Sequence, residues 1–123
     1  MNHSDAVQAL VTIHTTVSPM VIGLAQDRDL SRSDLLAIRR LPSVAREALL
    51  ALELPEPKVQ RVTEPAPEGQ ASRCLSALLV RTSELLGDCA RLPLPHALDN
   101  ATQLHTVHFL TWGLVHALGL EGT

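Results

Sequence analysis

Apolar residues recur along most of this chain every three or four positions, the spacing of amphipathic helices rather than of strands. Over residues 5–17, Ala6, Leu10, Ile13 and Val17 share one face, with Val7, Val11 and His14 beside it. Ser4 stands where it can cap that helix. The "VSPM" stretch reads as a break, because Ser18 is a favourable N-cap and Pro19 suits a first helical position. A second helix is therefore predicted over 19–27. Ser31 or Ser33 opens a third, which ends near Arg40 because Pro42 disfavours the α conformation at Leu41. Ser43 caps a fourth over 44–53, with Val44, Leu49, Leu50 and Leu52 on its apolar side and Glu47 near its positive end.

Residues 55–70 carry four prolines and one glycine. They read as an exposed linker, long enough to join two subdomains or to strap across a bundle. The clearest periodicity follows, over 71–91. Cys74, Leu75, Leu78, Leu79, Thr82, Leu85, Leu86 and Cys89 fall in one arc, while Ser76, Arg81, Glu84, Asp88 and Arg91 fall outside it. "RLPLPHALD" is a short rigid turn with Pro95 at a first helical position. The last helix spans 96–119, with Gly119 and Gly122 as stop signals.

That last helix is apolar on two sides. Val107, Leu110, Thr111, Leu114, Ala117 and Leu118 make an aliphatic arc suited to a core. His105, His108, Phe109, Trp112 and His116 form a stripe about 100° wide on nearly the opposite side. A helix apolar on two sides is buried on two sides. The stripe therefore needs its own partner, whether the N-terminal helices, a second copy or another protein, and is expected to be a contact surface, its aromatics supplying area and its imidazoles requiring hydrogen-bond partners.

Composition narrows the class. Hydrophobic residues make up 46% of the 123 residues but aromatics only 2%, so the core is built from Leu, Ala, Val and Ile. Helix formers dominate and strand-favouring aromatics are scarce. The net charge of −3 argues against a surface built to neutralise phosphates. Two cysteines make no disulfide framework. Cys74 and Cys89 lie about 22 Å apart along one helix and cannot bond each other. No secretory leader is visible, and no uninterrupted apolar run reaches the ~20 residues of a membrane span, 104–120 being the nearest. The expectation is a cytoplasmic protein without a membrane segment.

Catalytic and ligand signatures are absent: no glycine-rich phosphate loop, no paired-cysteine zinc spacing, no G-x-S-x-G and no H-E-x-x-H. His108 and His116 would be about 12 Å apart along the helix, too far to share one ion. No enzyme activity, cofactor or metal is expected. One alternative is DNA docking by a helix–turn–helix-like segment over 31–53, with Arg32, Arg39, Arg40 and Arg46 reaching phosphates. A third reading is a small enzyme or metal-binding bundle built on the histidine stripe.

The stretch "SALLVRTSELLGDCARLPLPHALDNATQLHTVHFLTWGLVHALG" resembles a family of short bacterial helical proteins of uncharacterised function. Ala77, Leu78, Ser83, Leu85, Leu86 and Ala90 carry the first half of the resemblance, and Ala117 and Leu118 its end. It covers residues 76–118. It implies a helical hairpin and self-association, with no activity attached.

The sequence thus predicts an all-α bundle of five or six helices: an N-terminal segment (1–54), a linker (55–70) and a C-terminal antiparallel hairpin (71–123). The expected role is that of a small non-enzymatic interaction or regulatory protein, a homodimer pairing through its last helix.

Overall fold

The computed structural model describes residues 3–58, 69–91 and 98–120. Among them the chain is all-helical, with α1 (His3–Ala25), α2 (Arg32–Ala51), α3 (Gln70–Arg91) and α4 (Leu98–Ala117). Four helices stand where five or six were expected, because both proline breaks are absent. Pro19 lies inside α1 and Pro42 inside α2. Ser4, Ser18 and Ser43 accordingly sit within helices instead of capping them. An interior proline costs about 3 kcal/mol in a helix. In α2 packing offsets that cost, since Leu41, Pro42 and Ala45 are all buried across the expected joint. The predicted turn over 92–97 and the middle of the linker, 59–68, lie outside the described residues, as does Gly122.

The helices close into a ring. α1 packs on α2 and α3, and α4 packs on the same two, so α1 stands opposite α4 and α2 opposite α3. One contiguous core draws on all four helices. It contains Leu10, Ile13 and Val17 from α1, Ile38, Leu41 and Leu49 from α2, Leu75, Leu78 and Leu85 from α3, and Leu104 and Leu114 from α4. Each such side chain contributes about 1.5–3 kcal/mol on leaving water. The predicted face of α1 and the predicted arc of α3 are the sides that point inward.

Charge divides between the two diagonals of the ring. Residues 6–26 and 100–120 contain no Asp, Glu, Lys or Arg, so the bodies of α1 and α4 are uncharged. The acidic and basic side chains of the bundle sit mainly on α2 and α3. α1, not 104–120, is the helix long and apolar enough to cross a membrane by length and composition, with a mean hydropathy of 1.4. One side of α1 is already spent on the core.

Helix ends follow local chemistry. Ser31 caps α2 in a reciprocal box: the Asp34 N–H donates to Ser31 Oγ and the Ser31 N–H to Asp34 Oδ2. Three helices then terminate alike. After α1 the Arg28 N–H returns to the Gly23 carbonyl, after α2 Leu54 returns to Leu49, and after α4 Leu120 returns to Val115. Each such closure needs a residue in the left-handed region, supplied by Asp27 (φ 58°), Glu53 (φ 58°) and Gly119 (φ 65°). Glycine takes this conformation without strain, whereas other residues lose about 1–2 kcal/mol. Glu53→Gly is therefore expected to stabilise the chain by about 1 kcal/mol, read from its urea midpoint.

Candidate functional site

α4 holds the residues singled out from the sequence, and its placement splits them. Its buried side consists of Leu104, Val107, His108, Thr111, Leu114 and Val115. His108 is thus not at the surface. It has no exposed area and lies within the bundle, contrary to its expected place on a contact stripe. His105, Trp112 and His116 are half-buried, while Phe109 is 49% exposed. The outward side of α4 runs through Thr102, His105, Thr106, Phe109 and His116, with no acid or base other than imidazole among them.

What draws His108 inward is the segment that follows α2. There the chain crosses to α4: His105 Nε2–H donates to the Pro55 carbonyl (3.1 Å). Glu56 places Oε1 3.8 Å from His108 Nε2 and Oε2 3.1 Å from Arg46 Nε. Of the proline-rich segment, Pro55 and Glu56 lie against α4, and residues 59–68 lie outside the described residues. Glu56 and Pro55 were not foreseen as partners. The only signal for them was that a 55–70 connection exceeds an ordinary loop.

The imidazole of His108 also meets its own helix. Trp112 Nε1–H donates to His108 Nε2 at 3.3 Å, and the rings of Phe109 and Trp112 stand edge-on to it at 6.1 and 6.5 Å. An indole nitrogen can only donate, so Nε2 accepts and the hydrogen of neutral His108 resides on Nδ1. That Nδ1 is buried with no hydrogen-bond partner among the described residues. Burial lowers the His108 pKa below the ordinary imidazole value. The Glu56 carboxylate opposes this shift, and His105 and Arg46 add to it. Below about pH 6.5 the unfolded chain takes up this proton more readily than the folded one. His108 therefore favours folding fully above that pH and progressively less as pH falls towards its lowered value.

The cysteines are free, Cys74 buried and Cys89 half-buried. Burial raises both thiol pKa values. Asp88 raises that of Cys89 further, while Gln70 and Arg73 partly offset the rise at Cys74. Both thiols are therefore poor nucleophiles at neutral pH. Among the described residues no three His, Cys, Asp or Glu side chains converge as metal ligands.

Cys74 instead marks a close approach of helices. A Cβ added at Gly113 would lie 3.5 Å from Cys74 Sγ, an ordinary contact distance. Gly113→Ala should therefore gain about 0.5–1 kcal/mol of helix stability. Gly113→Leu should lose about 1–3 kcal/mol by forcing α3 and α4 apart. Paired urea titrations check both.

The arginines of the DNA-docking alternative all lie on α2. Arg32, Arg39, Arg40 and Arg46 are exposed, and Arg46 is paired with Glu56. The corner between two short helices on which that reading depends is absent, because α2 runs unbroken through Pro42. A groove of about 370 Å³ lies between the start of α1 and the end of α2, with Asp5, Thr12, Glu47 and Leu50 on its walls. It lies on the α1–α2 side of the ring, and none of the predicted site residues lines it. Compared with family models, curated proteins and solved structures, the chain matches none.

Proposed function

We propose that this chain is a small non-enzymatic interaction or regulatory protein that pairs with a second copy through the outward side of α4. One observation carries the reading. From residue 100 to residue 120 the chain has no Asp, Glu, Lys or Arg, yet α4 turns one side outward and places the only phenylalanine there, about half exposed. A solvated helix face ordinarily carries charge, as the outer sides of α2 and α3 do here. Aromatic side chains flanked by uncharged neighbours are typical of interface centres, where charged residues are depleted.

The contact surface consists of Phe109 with the flanking edges of His105, Trp112 and His116. His108 supports it from beneath and takes no part in the contact itself. The antiparallel hairpin of residues 71–119 belongs to this reading. It is supported by Cys74 near the start of α3 meeting Gly113 near the end of α4. The hairpin gives the paired helix a stiff backing. Sedimentation equilibrium is the deciding experiment, with twice the chain mass expected at micromolar concentration. A single-chain mass across that range would remove the proposal.

A further inference from the structure

We propose that His108, Trp112 and Glu56 form a proton-operated latch, in which His108 exchanges Trp112 for Glu56 as its partner when it takes up a proton. The geometry places both partners on the same atom. Nε2 accepts the Trp112 N–H at 3.3 Å, and the nearer Glu56 oxygen stands 3.8 Å away. One lone pair cannot serve both states. In the neutral ring it holds the indole. Once a solvent proton occupies Nε2, the indole loses its acceptor, and Nε2–H becomes a donor with a Glu56 oxygen 3.8 Å away. No other bond is made or broken.

Several further observations support the exchange. The Glu56 side chain is 40% exposed, whereas His108 beside it has no exposed area. Trp112 is half-buried, so its emission responds to a change of its partner. The other charged or titratable groups facing the imidazole are Arg46 from α2 and His105 from α4. Both oppose protonation, and only Glu56 favours it. Acid therefore frees the indole from His108 while tightening the strap onto α4. The inference does not depend on self-association, since every group belongs to one chain.

Trp112 is the only tryptophan, so its emission reads the latch directly. Between pH 8 and 5 the emission should change once, with a midpoint below about 6.5 and with far-ultraviolet ellipticity unchanged. His108→Gln should flatten the curve. Glu56→Gln should keep it but move the midpoint lower, because the group that favours protonation is gone. The latch is overturned by a flat wild-type curve, by a transition that survives His108→Gln, or by one that follows loss of helix. Should His108→Gln fail to fold, Glu56→Gln decides alone, and an unmoved midpoint overturns the proposal.

Discussion

Changing Phe109 to Asp is expected to leave the chain helical and to weaken its self-association at least 30-fold, about 2 kcal/mol, the loss typical of an interface anchor. Phe109 is 49% exposed, so the fold draws little from it. In a pair related by a two-fold axis the same residue enters the contact from both subunits. The substitution therefore removes two aromatic anchors and adds two carboxylates that must shed water without a Lys or Arg partner, since residues 100–120 contain neither. Trp112→Asp is a less selective test, because Trp112 is half-buried and bonded to His108 and its loss acts on the bundle as well. Sedimentation of wild type and Phe109→Asp at matched concentrations, with circular dichroism as the control for folding, measures the difference. A dimer that survives Phe109→Asp would place the contact elsewhere. The uncharged outer side of α1, where Ile22 is 56% exposed, would then be the next surface to test.

Much of this architecture was legible in the sequence where one side of a helix differs clearly from the other. The α3 arc from Cys74 to Cys89 alternates with Arg81, Glu84 and Asp88, so periodicity fixes its rotation. Ser31 and Gly119 were legible because capping and left-handed closure depend on the residue itself. Pro19 and Pro42 misled for the opposite reason. Their local preference is strong, but burial of Leu41, Pro42 and Ala45 along a continuous face outweighs it. α4 was the hardest to orient, since it lacks a charged side and several rotations satisfy the same pattern. The aliphatic arc suggested a core centred on Leu114, and Leu114 is indeed fully buried. The helix is nevertheless turned towards His108, because Glu56 and Pro55 cover that edge. A partner some fifty residues away leaves no trace in helical periodicity.

Leu114→Ala should cost about 2–5 kcal/mol of folding free energy, and Phe109→Ala, only a few residues away on the same helix, about 1 kcal/mol in the separated subunit. Leu114 has no exposed area and belongs to the shared core, so truncation loses its transfer free energy and leaves a cavity that neighbours from other helices cannot fully close. Phe109 projects outward, and its truncation opens no cavity. Urea titrations at low protein concentration, below the range where subunits pair, isolate the folding term from the association term. At high concentration the ranking should narrow, because Phe109→Ala then also forfeits the stability that pairing lends the fold, whereas Leu114→Ala acts mainly within one subunit. Equal costs at low concentration would mean that α4 is rotated about its axis relative to this structure, with Phe109 inside. The surface assigned to it would be lost along with the fold's account of His108.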